Sequence, residues 1–241
     1  MRAPLRLLAV LPLLVLAACG GGESAGPALP QGGEPFELDP ADFVGTIDNP
    51  YWPTTPGSRW VYRETDADGT VQRVVVTVTD RTKVIEGIEA TVVRDTVTED
   101  GEVVEDTFDW YAQDRWGNVW YLGEATREYD GDKVSTEGSW ETGLDGALAG
   151  VVVPAMPAPG LAYRQEYYAG EAEDEAVVLS VDERADVPQG SYEDVLMTKD
   201  LNPLEPDLVE HKFYGKGVGP VLALTVSGGS SREELVSFVS G

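Results

Sequence analysis

Cysteine is almost missing from this chain: one residue, Cys19, stands in 241. A lone thiol excludes a disulfide framework and a thiolate zinc site in the body of the protein. Histidine is equally scarce, with His211 alone. The one Gly-x-Ser-x-Gly match, Gly22-Glu23-Ser24-Ala25-Gly26, falls in the Gly-rich stretch after Cys19 and not at a strand-to-helix turn, so a Ser–His hydrolase has no foundation. Strand alternation sets His211 between Val209 and Phe213, facing a core as a hydrogen-bonded structural histidine. Basic residues are few, 17 Lys and Arg against 43 Asp and Glu, for a net charge of −26. That field repels nucleic acid and anionic lipid headgroups, and leaves cations, basic proteins or neutral molecules as partners. The bland account of the acidity is solubility. Helical periodicity of useful length is also absent after Asp48.

What is present begins at the N-terminus. Arg2 and Arg6 precede an apolar run from Leu7 to Ala18, the length of a signal-peptide core and too short to span a bilayer. Leu16-Ala17-Ala18-Cys19 resembles the lipobox of bacterial lipoproteins. The resemblance implies a signal peptide over 1–18, cleavage before Cys19, a diacylglyceryl thioether on its sulfur and often a third acyl chain on its amine. The expected partner is then a membrane, reached through those chains. The expected location is outside the cytoplasm, at the cell membrane or outer membrane. Each buried CH₂ contributes ~0.8 kcal/mol, so two or three chains anchor stably. Residues 19–50 are rich in Gly and Pro, with Gly20-Gly21-Gly22, Gly32-Gly33 and Pro40, and read as a flexible tether. Pro40-Ala41-Asp42-Phe43-Val44 is a candidate for docking or one helical turn. Asn49-Pro50-Tyr51-Trp52-Pro53 marks the start of the folded body, its aromatics plugging one end of a core.

From Arg59 onward the reading is all-β. Strand patterns recur between turns such as Glu86-Gly87, Asp100-Gly101 and Gln189-Gly190. Phe108, Trp110 and Ala112 alternate with Thr107, Asp109 and Tyr111. Val177, Leu179 and Val181 oppose Ser180 and Asp182. One apolar and one polar face predicts antiparallel strands with one side on a core. The Pro-rich stretch 143–158 predicts a connector between a first β half, 51–142, and a second, 159–241.

A shift of 103 residues superposes Pro56-Gly57 on Pro159-Gly160, Trp60 on Tyr163, Gly87 on Gly190 and Trp110-Tyr111 on Phe213-Tyr214. With one gap, Gly117 and Val119 fall on Gly219 and Val221. Internal duplication and two meanders of similar strand length both explain this. Either way the antiparallel meander predicts a curved sheet closing toward a barrel, or two packed half-barrels.

Asn49-Pro50-Tyr51-Trp52-Pro53, Pro56-Gly57-Ser58-Arg59-Trp60-Val61-Tyr62, Asp109-Trp110-Tyr111-Ala112-Gln113-Asp114 and Glu166-Tyr167-Tyr168-Ala169-Gly170 together resemble a family of bacterial secreted lipoproteins with no assigned activity. The ending Phe213-Tyr214-Gly215-Lys216-Gly217-Val218-Gly219 is similar to the closing strands of lipoprotein-carrier half-barrels. That second likeness implies a concave apolar sheet able to hold an acyl chain.

Three chemistries remain in view. Calcium wants six to eight oxygens, and Asp66, Asp68, Asp130 and Asp132 sit on tight Asp-Gly turns, though none matches the twelve-residue calcium loop. No other cofactor is expected. Exposed aromatics beside carboxylates suit a sugar or protein partner, which selects Trp116, Tyr167, Tyr168, Glu173 and Asp174 as a binding surface. Among 43 acidic residues, two could act as the acid and base of a glycoside hydrolase. The expectation is a monomeric, lipid-anchored binding protein without covalent chemistry. A carbohydrate-active hydrolase and a structural envelope lipoprotein are the alternatives. A hydrolase predicts converging carboxylates, one desolvated. An acyl binder predicts an apolar cavity of ~300 Å³ without paired acids.

Overall fold

The computed structural model describes residues 26–241. Residues 1–18, read above as a signal peptide, and Cys19 lie outside the described residues. The chain enters through a 3-10 turn, Pro40–Asp42, and strand β1 (Phe43–Val44). Five strands follow: β2 (Arg59–Thr65), β3 (Val71–Ile85), β4 (Ile88–Glu99), β5 (Glu102–Asp114) and β6 (Val119–Ala125). Short strands β7 (Glu128–Asp130), β8 (Lys133–Ser135) and β9 (Trp140–Glu141) lead to β10 (Leu148–Val153), β11 (Ala162–Arg164) and β12 (Glu166–Tyr167). The remainder is β13 (Glu175–Val187), β14 (Gly190–Leu201), β15 (Val209–Gly215), β16 (Gly219–Ser227) and β17 (Arg232–Val239).

The fold is all-β and antiparallel. Val- and Thr-rich runs favour the pleated backbone of β3 and β4. Glu86-Gly87 and Asp100-Gly101 close the hairpins on either side of β4, with positive φ at both residues of each pair. Two such residues match the twist of the flanking strands. Pairing runs from β2 through β6, on to β10 and β12, through β11 to β13, and on to β17, which returns to β2. The sheet therefore curls nearly closed into one barrel rather than two half-barrels.

The two halves follow the 103-residue offset closely. The long hairpins β3–β4 and β13–β14 fall one on the other. Gly57 (φ 91°) and Gly160 (φ 88°) hold equivalent left-handed turns. The Gly57 N–H donates to Val78 O, and Val78 N–H returns a bond to Ser58 O. Gly160, Val178 and Leu161 repeat that exchange.

Three expectations need correction. The 143–158 connector contains β10, whose Val151 and Val153 are fully buried and which pairs with β6. The tether read over 19–50 is packed from Leu29 onward. Leu29, Phe36, Leu38 and Phe43 lie on a second core cluster around Trp110, Trp120 and Val151, with the Phe36 ring 5.2 Å from that of Trp120. Arg164, 1% exposed, pins this strap by donating to Gly32 O at 2.6 Å and Glu34 O at 2.8 Å. Its carbonyl partners supply no charge, and burial lowers its pKa to about 10. The strap exists because β5 and β6 are apolar on their outer face as well, and that face needs a cover. Third, the buried side of β13 is Ala176 and Val178, while Leu179 is exposed. Register shifts after Val178 change which side chains turn inward. Pro40–Asp42 does form its turn, capped by the Asp39 carboxylate, and Phe43–Val44 docks on β5.

Candidate functional site

Strands of the barrel line a cavity of about 310 Å³ that is partly open to solvent. Period-2 alternation aims its walls: Trp60 and Tyr62 from β2, Val93 and Asp95 from β4, Asp109 and Tyr111 from β5, Lys212 and Tyr214 from β15. Trp52, Pro53 and Thr54 line it from the segment before β2. That segment is held by Asn49, which donates to Gly117 O at 2.8 Å and accepts from Tyr51 N–H. The face of β15 that looks inward is therefore the one carrying Lys212. His211 and Phe213 point the other way, and His211 is only half-buried. The expected inward face of that strand is reversed: Lys212, paired with Asp200, takes the inward side, and Phe213 packs in a core cluster on the other.

Five carboxyls line the cavity: Asp95, Asp109, Glu166, Asp174 and Glu233. One cation faces them, and Lys212 is already committed, with Asp200 at 3.0 Å and Glu210 at 3.9 Å. Asp200 holds the ammonium pKa well above its usual value. Lys212 also draws on Asp174 and Glu233, while Asp95, Asp109 and Glu166 have no cation beside them. Burial lifts Asp109 to about 7 and Glu233 to about 7. Burial, with the charge of Asp109, lifts Glu124 to about 8. Asp95 is raised by burial and then by Asp109. Glu166 is raised by burial and then by its neighbour Asp174. The Tyr121 hydroxyl lies 2.6 Å from Asp109 Oδ1 and 2.9 Å from Glu124 Oε2. One hydroxyl has one hydrogen to donate, so both contacts are hydrogen bonds only when one carboxyl carries a proton. Glu166 accepts from Trp140 Nε1 at 2.9 Å.

Aromatic rings form the rest of the wall. Trp52 meets Tyr111 edge-on at 5.3 Å, and Tyr111 stacks on Tyr121 at 4.8 Å. Four buried polar atoms of lining residues find no protein partner: Trp52 Nε1, Thr54 Oγ1, Asp95 Oδ1 and Asp174 Oδ1. Unmade hydrogen bonds of buried groups are costly, and they mark where another molecule completes the set.

Of the sequence-selected binding residues, Asp174 alone lines the cavity. Glu173 accepts from Gly170 N–H at 2.8 Å, closing its own turn. Tyr168 is half-buried against the barrel core. Tyr167 lies under the strap, where a side chain at Gly33 would strike its ring. Trp116 is half-buried beneath Gly26, with the Arg115 guanidinium 4.5 Å from its ring centroid. These residues do not form one surface. The calcium candidates fare similarly. Asp66 accepts from Asp68 N–H and Thr70 N–H of its own turn, which lowers its pKa. Asp68, Asp130 and Asp132 are exposed, and Asp130 pairs weakly with Lys133 at 3.8 Å. Among the described residues no three acidic, His or Cys groups cluster as metal ligands do.

Asp95, Asp109, Glu166, Lys212 and Glu233 escaped the sequence reading because alternation assigns polar residues to solvent. One signal pointed to them: Phe108-Asp109-Trp110-Tyr111 embeds a carboxylate in an aromatic run.

No family model matches the sequence, and no curated protein matches it. Two solved structures are similar in outline. One is a Parabacteroides distasonis protein provisionally described as a lipoprotein, at 11% identity and TM-score 0.44, covering 78% of this chain and 98% of that one. The other is a Bacteroides fragilis protein, provisionally described as exported and with a YmcC-like fold, at 13% identity and TM-score 0.45 over the same shares.

Proposed function

We propose that this chain is a lipid-anchored, extracytoplasmic binding protein that holds a small molecule inside its barrel and performs no covalent chemistry on it. The observation that carries the reading is the interior cavity of about 310 Å³, lined by aromatic rings and unpartnered polar atoms. Small-ligand sites start near this size, and combine an apolar wall with a few oriented polar groups. A structural envelope protein has no need for such an interior. The anchor rests on the Leu16-Ala17-Ala18-Cys19 pattern alone. An acyl chain suits the volume poorly in company with five carboxyls.

Glycoside cleavage is the second reading, suggested by Glu166 beside Asp174. It needs one carboxyl raised and its partner left ionised. These two carboxyls are hydrogen-bonded directly to each other, closer than the ~5–9 Å that leaves room for a sugar between acid and base. The test is a titration of tryptophan emission with a panel of small amphiphiles, repeated on Ala223→Phe, which fills the cavity. A saturable change abolished by the filled variant supports the reading. Changes that persist unaltered in that variant refute it.

A further inference from the structure

We propose that the cavity selects an organic cation, an alkylated ammonium with a compact apolar body and an oxygen acceptor, over neutral ligands of the same shape. This rests on the cavity being the binding site. Four observations converge on that class. The wall carries five carboxyls, and its single lysine is occupied by Asp200 and Glu210. A ligand cation would supply the missing counter-charge. The same wall presents the rings of Trp52, Trp60, Tyr62 and Tyr111, and aromatic faces beside acids are the surroundings that quaternary and alkylated ammonium groups seek. Thr54 is only 7% exposed, yet its hydroxyl finds no protein partner. Trp52 Nε1, a donor and never an acceptor, is likewise unpartnered, and an oxygen on the ligand would complete it. Finally, among the described residues the acids do not converge as a metal cluster, which favours an organic cation over a metal ion.

Charge also sets the position. Lys212 supplies a cation to the carboxylates of β14 and β15. Asp95 and Asp109, on β4 and β5, remain without a cation. The ammonium group therefore belongs on the β4–β5 side, near Tyr111.

The experiment uses acetylcholine and its neutral isostere 3,3-dimethylbutyl acetate as probes, followed by tryptophan emission and calorimetry on the folded protein at about pH 8. The expected result is saturable acetylcholine binding at least about tenfold tighter than the isostere. Asp109→Asn should weaken acetylcholine binding by about tenfold while leaving the neutral isostere unchanged. Asp95→Asn is the second variant should the first not fold. Equal affinity for the two probes, both lost in Ala223→Phe, would overturn the cation and leave the cavity as a binding site. Binding of neither probe, or binding indifferent to Ala223→Phe, would overturn both.

Discussion

Where the first half of the barrel turns Asp109 and Tyr111 inward, the second half, 103 residues on, turns Lys212 and Tyr214 inward. The backbone treats the two sites alike. Each lies on the strand after a long hairpin, and each sends alternate side chains into the cavity. The chemistry differs. Lys212 brings its own counter-ions, Asp200 and Glu210, so the carboxylates of the β14–β15 wall have a cation among them. Asp109 shares one tyrosine hydroxyl with Glu124 and has no cation. A symmetric scaffold thus carries an asymmetric field, one wall satisfied and the other acidic and incomplete.

The largest effect expected from breaking this comparison is at Lys212. Lys212→Met leaves Asp200, 6% exposed, beside Glu210 without a cation. Because the Lys212 side chain is itself 35% exposed, the loss should cost ~3 kcal/mol, the low end for a buried pair. Asp109→Asn should do the opposite and hold or raise stability at about pH 8, because it removes a group that burial disfavours when charged. Urea denaturation of both variants checks the signs. Loss of stability in both would erase the distinction between the walls.

The pH dependence comes next. Asp109, Glu124 and Glu233 have folded pKa values near 7 to 8, above the ordinary carboxylate range near ~4. The folded state then holds more protons than the unfolded one, and stability falls as pH rises from about 4 to about 8. Melting temperature should drop by on the order of 10 °C between about pH 5 and pH 8. Glu234 has the opposite sign, because hydrogen bonds from Arg232 and Arg63 lower its pKa. Its contribution is lost only as pH falls below the ordinary carboxylate range.

The smallest effect tests the likeness of the halves. Val78 and Val178 are fully buried and make the same backbone exchange with a Gly turn. Val78→Ala and Val178→Ala should each cost ~2 kcal/mol, and differ by less than about 0.5 kcal/mol. A wide gap in chemical denaturation would show that the shared geometry is not shared packing.

Much of the fold could be read from residues. Asp-Gly and Glu-Gly turns, alternating runs and the 103-residue offset lead to an antiparallel barrel. The facing of strands could not be read the same way. Alternation states which side chains share a face, and hydrophobicity then names the buried one. On β5 both faces are buried: Trp110 under the strap, Tyr111 in the barrel. The usual inference has no exposed side to work from. The strap itself was hidden by composition, since Gly and Pro suggest a free coil while Phe36, Phe43 and the reach of Arg164 hold it down. The site fared worst, because it is made of the residues that sequence patterning sends to solvent.

The most direct test is the proton count of acetylcholine binding, measured by calorimetry near pH 7 in two buffers of different ionisation enthalpy. A cation seated beside Asp95, Asp109 and the Glu166–Asp174 pair lowers their pKa values, so binding should release protons to the buffer. Binding that takes up protons, or leaves their number unchanged, would contradict the account.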